Sequence, residues 1–413
     1  MVYNTTMEKF STYITEQKNT HMTHIEDRVI YGGVNGTRQA IMALRELRDM
    51  LKGEHSGSVA VKWDGAPAIF AGIDPTDGEF FVAKKGIFNK NPKVYKTAAE
   101  IDADTSGDLA TKLKDALTYL PELGIKGVIQ GDFLFGRGDL ARKKIDGNTY
   151  VTFHPNTIVY AVPVDQAKEI VQAKIGIVWH TTYTGSTFET MKASYGVNVS
   201  QLKASKNVWS QDAMLRNVQN ATLTKSETET VNEYLSQIGK LFNSISGTTL
   251  RALEGNPTLA QHIEQYNNTF VRAGTVIGNS QAHTTKLIRW IKNKYKAEID
   301  KRKTASGKAT QQKKLDDLLS FFSEENKANL VKMFELQKLI VLVKLKLINK
   351  LNQLSNLETF VKTRKGFKVT GQEGYVAIDT LGGDAVKLVD RMEFSYNNFS
   401  PDILKGWDKP TRN

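Results

Sequence analysis

The hydrophobic period of this chain changes twice along its length, and that pattern most restricts the folds open to it. From Ser58 the apolar residues alternate with a period of two, as on half-buried strands. Strands are predicted at 59–63, 68–73 and 79–84, the last two joined as a hairpin by Asp74-Pro75-Thr76-Asp77-Gly78. Further strands are predicted at 127–135, 150–153, 157–162 and 174–183. At about Val208 the period becomes helical and stays so to about Leu357, with breaks at Gly247, Gly255-Asn256-Pro257 and Gly278. Within 311–352 two long helices are expected, separated at Ser323, an N-cap residue. Strands return at 368–370, 374–378 and 385–389. Other helices are expected at 8–17, 36–52 and 107–120.

This alternation predicts the α+β class: antiparallel sheets with packed helices, interrupted by an all-α insertion of roughly 150 residues, far longer than a connecting loop. The expected divisions are an N-terminal helical segment (1–57) packed on the sheet-bearing domain, a first part of that domain (58–204), the insertion (205–360) and the domain's closing strands with a tail (361–413).

Composition narrows the chemistry. The chain has no cysteine, which excludes disulfides, thiolate metal sites and a cysteine nucleophile and fits a reducing compartment. The N-terminus carries no apolar signal-type run, and the most apolar stretch, 339–348, is interrupted by Lys344 and Lys346. A span needs about 20 apolar residues, so a cytoplasmic protein without a membrane partner is expected. The net charge is +12, which favours polyanions. Eleven Lys and Arg against two acids fall between Lys286 and Lys314. On a helix Arg289, Lys292, Lys296 and Lys303 share roughly one face, a candidate contact for a nucleic-acid backbone, with Trp290 and Tyr295 packed elsewhere.

The segment Val61-Lys62-Trp63-Asp64-Gly65 has a chemical logic. Lys62 ends a strand and is therefore rigidly placed. A lysine amine attacks an electrophile only when neutral, which desolvation and nearby cations promote. Gly65 lets the backbone turn tightly away. Alone the segment is a weak signal, because any strand end followed by a turn produces it.

Other segments recur with it in order. Lys62-Trp63-Asp64-Gly65, Gln130-Gly131-Asp132-Phe133-Leu134, Ile158-Val159-Tyr160-Ala161-Val162, Glu373-Gly374-Tyr375-Val376 and Val386-Lys387-Leu388-Val389 each fall on an apparent strand. In this order they resemble the motifs of the covalent nucleotidyltransferase superfamily, the ATP-dependent DNA and RNA ligases and messenger-RNA capping enzymes. The resemblance covers about 60–165 and 366–395. It implies a ligase-type fold with ATP-grasp-like antiparallel sheets, with ATP as substrate and Mg²⁺ or Mn²⁺ as the metal. Lys62 would take AMP and Lys387 would neutralise the α-phosphate. Asp132 and Glu373 would contact the ribose and hold the metal. Val61, Asp64, Gly65 and Lys85 would line the nucleotide, and Phe153 or Tyr160 would stack on the base. The wording around Lys62, with Asn19–Asp27 and Ala83–Lys90, also resembles uncharacterised proteins of large tailed bacteriophages, which implies an infected bacterial cytoplasm.

Three departures shape the expected activity. Ala66-Pro67-Ala68 stands where an arginine often follows the glycine, leaving Lys84 or Lys85 to supply that phosphate contact. Lys387 lacks the second lysine usual in its motif. About 24 residues follow Val389, too few for a C-terminal OB domain. The resemblance therefore implies an ATP-dependent polynucleotide ligase, with RNA favoured over DNA. The alternatives are transfer of AMP or GMP to an RNA end or a protein without sealing, and a non-catalytic nucleic-acid-binding protein that keeps the fold.

Several smaller patterns carry expectations too. His21, His24, Glu26 and Asp27 are read as packing or capping, with Thr23 and Glu26 as a capping box rather than metal ligands. His180 is read as structural. Gly136-Arg137-Gly138 and Arg142-Lys143-Lys144 are read as a phosphate contact or a solvated turn. The Asp74–Gly78 turn resembles part of a calcium loop but lacks its length and terminal glutamate.

Overall fold

The computed structural model describes residues 23–53, 58–215, 222–354, 357–378 and 385–407. The expected helix at 8–17 and His21 lie outside the described residues. The chain is mixed α+β with mainly antiparallel sheets.

After a short helical turn at Arg28–Tyr31 comes helix α1 (Gly33–Leu51), whose apolar stripe of Ala40, Ile41, Leu44, Leu47 and Leu51 is buried. Strands β1 (Ser58–Lys62), β2 (Ala68–Ile73) and β3 (Phe80–Ala83) follow. Helices α2 (Ala98–Asp104) and α3 (Gly107–Tyr119) lead into β4 (Val128–Gly136). Then come β5 (Ala141–Ile145), β6 (Asn148–Phe153), β7 (Ile158–Pro163) and β8 (Ile175–Thr184). The first half ends with β9 (Lys192–Tyr195) and β10 (Val208–Asp212). Strand β5 is the segment read as a basic turn, and β10 begins where helical texture was expected. Both are largely polar strands whose partners, β6 and β8, supply the apolar face.

The helical part comprises α4 (Lys225–Asn243), α5 (Gly247–Glu254), α6 (Pro257–Arg272), α7 (Ser280–Asp300), α8 (Ala305–Leu319) and α9 (Glu324–Leu351). Ser323 caps α9 by accepting from the Asn326 amide at 3.2 Å. None of the described helices is long and apolar enough to cross a membrane. The closing elements are β11 (Glu358–Thr363), β12 (Gly366–Val369), β13 (Gly374–Ile378), β14 (Ala385–Leu388), α10 (Arg391–Phe399) and β15 (Ile403–Leu404).

Three sheets result. The order β1-β13-β14 forms a small antiparallel one, and its neighbours run β10-β8-β4-β2-β3 and β12-β11-β7-β6-β5. The small sheet is the hinge of the architecture. Val59, Tyr375, Ala377, Val386 and Leu388 on one face join a core built from α1 and the helical part. Ala60, Val376 and Ala385 on the other face join the core under β6, β7 and β8. Helix α1 therefore shares its core with the inserted helices. In period-two strands, successive residues serve different cores, which is why this short sheet can sit between two layers.

The N-terminal motif enters that junction. Glu26 is not a capping-box partner: the short turn Ile25–Asp27 has His24 at its N-cap with no side-chain cap bond. Instead Lys344 of α9 donates to both Glu26 carboxylate oxygens, at 2.8 and 2.9 Å, in a fully buried pair. Arg391 of α10 donates to Asp27 at 2.9 Å. The Lys387 amide donates to the Thr23 carbonyl at 3.1 Å, tying this segment to β14. The Asp74 turn is likewise self-contained. Lys96 occupies the place of a cation there, at 2.9 Å from Asp74 and also paired with Asp77.

Candidate functional site

Lys62 is the last residue of β1 and sits in register with Gly374 of β13, so Glu373 is next to it by topology. Their side chains form an ion pair in which Glu373 is the more buried partner. Lys387 lies one strand further, on β14, opposite Val376. Gly374 allows this spacing: it has φ +155, and a Cβ there would meet the Leu388 carbonyl at 2.8 Å.

The turn after Lys62 is pinned from two sides. Asp64 is buried and accepts three hydrogen bonds, from Asn156 Nδ2 at 2.6 Å and from the amides of Thr157 and Ile158 at 2.6 and 2.7 Å. Its own amide donates to the Tyr160 hydroxyl at 2.7 Å. Gly65 packs on β4, and a Cβ there would lie 2.6 Å from Asp132 Cβ. The Ala66 amide donates to the Phe133 carbonyl at 2.9 Å. The turn thus links the strand of Lys62 to that of Asp132.

Asp132 is partly exposed, and His180 Nε2 stands 3.7 Å from its carboxylate. His180 falls at an irregularity in the β4–β8 register, where Gln130 pairs with Thr181 and Gly131 with Trp179. That bulge aims the ring at Asp132. The expectation that His180 is merely structural omitted this, and only a bulge in the strand pairing, invisible in a periodicity, would have signalled it.

The electrostatics converge on Glu373. Burial pushes its carboxyl up to about 7; Lys62 opposes this, while the charges of Asp64 and Asp132 add to it. Burial also lowers Lys387, helped by the charge of Lys62 and countered by Glu373. Asp64 is raised by burial against the hydrogen bonds it accepts. Two lysines and three carboxylates therefore share one partly desolvated site. Among the described residues no group of three or more His, Asp or Glu side chains is arranged to hold a metal ion.

Other expected site residues fall differently. Tyr160 and Phe153 do not offer a face to a base. Both are fully buried, stacked on each other at 5.3 Å between Trp63 and Phe135. They are core because β6 and β7 turn these positions inward, between the sheets. Asp64 has both oxygens engaged by the 156–158 turn and serves to position Lys62 rather than to touch a nucleotide. Val61 is half-buried on β1. Lys85 is exposed on the turn after β3, while its neighbour Lys84 pairs with Asp104 at 3.0 Å. Arg289, Lys292 and Lys296 are exposed on α7, but that helix ends at Asp300, so Lys303 lies in the following turn and leaves their face. Trp290 packs on Tyr266 with ring centroids 5.7 Å apart.

The sheets and this site define a mixed α+β protein with a paired lysine and glutamate at the end of a central strand. The chain belongs to the family of unknown function DUF6267, whose model matches residues 19–402. No curated protein and no solved structure matches it.

Proposed function

We propose that this chain is an ATP-dependent polynucleotide ligase, with RNA favoured over DNA, acting through a covalent lysyl-AMP. The observation that carries the reading is the ion pair of Lys62 and Glu373 across β1 and β13, with Lys387 on the adjoining strand. Core packing alone has no use for this arrangement. The five motif-like segments, read as a resemblance to covalent nucleotidyltransferases, supply the class.

In this reading the Lys62 amine attacks the α-phosphorus of ATP. An N–P bond forms, the bond to pyrophosphate breaks, and the amine loses its protons. Glu373 is within reach of Lys62 and binds a proton more tightly than an ordinary carboxylate, which suits it to accept one. Lys387 offers positive charge to the α-phosphate as charge develops there. The AMP then passes to a 5′-phosphate and is displaced by a 3′-hydroxyl. Asp132 and Glu373 present hard oxygen donors among surplus carboxylates, which fits Mg²⁺, a cation that keeps most of its waters. Bound there, Mg²⁺ would polarise the phosphoryl oxygens.

Incubation with α-labelled ATP and Mg²⁺ tests the reading. Label should attach in an acid-labile, alkali-stable bond and vanish in Lys62→Ala. Equal labelling of that variant would overturn it. Parallel incubation with GTP separates ligase from capping chemistry. Labelling without joining of 5′-phosphate and 3′-hydroxyl ends would instead favour nucleotidyl transfer without sealing.

A further inference from the structure

The β11–β12 hairpin and α10 make a second charged surface. Residues 362–368 hold Lys362, Arg364, Lys365 and Lys368 and no acid. Strand β12 is an edge of its sheet, so nothing in that sheet covers its outer side. Lys368 Nζ lies 4.9 Å from the centre of the Tyr396 ring on α10, which joins hairpin and helix into one surface. Aromatic rings stand open on it: Tyr396 is 44% exposed and Phe399 74%. Tyr396 and Phe399 are three residues apart and so share a helix face.

This surface borders a cleft beside the strand that follows Glu373. This open cleft of about 470 Å³ is lined by Val369, Thr370, Gln372, Glu393, Asn352 and Glu358, among others. Gln372 and Glu393 also line the smaller pocket that reaches Asp64 and Glu373. Val369 and Glu373 are four positions apart in the chain, a reach of at most about 14 Å.

We propose that the β12 edge and the exposed face of α10 form a platform for single-stranded polynucleotide. Charge and ring chemistry select the occupant. Lys368 on β12 and Arg364 and Lys365 in the hairpin turn suit a phosphate backbone. Open rings stack on unpaired bases, which a duplex does not offer. The amides and carboxylates of the cleft suit base edges and ribose hydroxyls rather than phosphates. Binding to the platform does not rest on the ligase reading.

The test is fluorescence anisotropy of the full chain with a labelled single-stranded uridine oligonucleotide and with a duplex of equal length. Tyr396→Ala with Phe399→Ala should weaken single-strand binding about tenfold or more, with the duplex little changed. Tyr396→Phe, which keeps the ring, should bind as wild type. Arg364→Ala, Lys365→Ala and Lys368→Ala together should flatten the salt dependence by about 0.7 for each phosphate no longer neutralised. Circular dichroism should be unchanged throughout, since every substituted group is on the surface. Wild-type single-strand affinity in both the aromatic and the cation variants would overturn the platform, as would equal losses on the duplex. Self-labelling with ATP, measured on the same samples without nucleic acid, separates the two ideas. If the protein binds the oligonucleotide through this surface but never labels, the ligase reading falls and the platform stands. If it labels, but its oligonucleotide binding ignores these residues, the platform alone falls.

Discussion

Two lysine–glutamate pairs flank the strand pair β13–β14, and their glutamates behave in opposite ways. Glu26, bonded to Lys344, is held at about 2: burial pushes it up, but Lys344, His24 and Arg391 override that push. Glu373, bonded to Lys62, is pushed up to about 7 by burial, with Asp64 and Asp132 opposing the help of Lys62. The residue types are identical and both carboxylates are largely desolvated. The difference lies in the neighbours, cations around one and carboxylates around the other. It also lies in access, since Lys344 and Glu26 are sealed while Lys62 is partly open to solvent. A sealed site whose cations, Lys344 and Arg391, are matched by Glu26 and Asp27 can only brace the fold. An open pair with surplus carboxylates has a loosely held charge balance that a cation or a phosphate ligand can alter.

The sharpest way to break this comparison is to remove each lysine. Lys62→Ala should lower ATP labelling by about a thousandfold or more, equivalent to roughly 4 kcal/mol or more of lost transition-state stabilisation, and leave the urea midpoint near wild type. Lys344→Met should do the reverse. It strands a buried carboxylate, and breaking such a pair costs about 3–5 kcal/mol. Denaturant unfolding should show that loss, and the double variant Lys344→Met with Glu26→Leu should recover most of it. If Lys62→Ala instead unfolds the protein, the two pairs are the same kind of object and the contrast is wrong.

A smaller effect comes from pH, with opposite signs for the two glutamates. Glu26 is depressed from 4.5 to about 2. Its stabilisation is present above pH 4.5 and is lost as pH falls through 2. Glu373 is raised from 4.5 to about 7. Its contribution is present below pH 4.5 and is lost as pH rises through 7. Each shift corresponds to about 3 kcal/mol at most. Denaturant titrations from pH 4.5 to 8 should therefore show a decline toward neutral pH that Glu373→Gln makes shallower; the rest belongs to Asp27, which burial also raises to about 7. An unaltered profile in that variant would mean that the carboxylate is solvated after all.

The legible parts of the site were those with local patterns. Lys62, Glu373 and Lys387 each sit on or beside a short period-two run, so their strand positions could be anticipated. What joins them could not. The bond between Tyr160 and the Asp64 amide spans 96 positions, and the Glu26–Lys344 pair spans 318. Composition and period say nothing about such distances. Tyr160 and Phe153 looked available because an aromatic on a strand has two possible faces, and only the packing of β6 and β7 decides which is inward. Strands β5 and β10 were missed for a related reason: edge-strand residues 142–144 are exposed and polar, so burial leaves no alternating signal. The long helices were legible because their stripes repeat over many turns, and the break at Ser323 carries its own cap.

The smallest expected effect belongs to a third kind of cation, one surrounded by water. Arg289, Lys292 and Lys296 are exposed along α7, within a segment rich in positive charge. Exposed charges contribute little to stability, so neutralising all three should leave the denaturation midpoint within experimental scatter, unlike Lys344→Met. It should leave ATP labelling intact as well, unlike Lys62→Ala, because the lysyl-AMP step needs only the pocket. What should change is polynucleotide binding, by about tenfold near physiological salt, with a salt slope reduced by about 0.7–0.9 for each phosphate no longer neutralised. Lys303, which lies beyond the end of α7 at Asp300, should contribute less than any of the three when replaced alone. Such contacts position a strand without reading it, so the loss should be the same for oligonucleotides of different sequence. If the triple variant binds nucleic acid normally but labels poorly, the helical part acts on the pocket rather than on the strand. The brace from Lys344 through Glu26 to the segment paired with β14 would then be the route to examine.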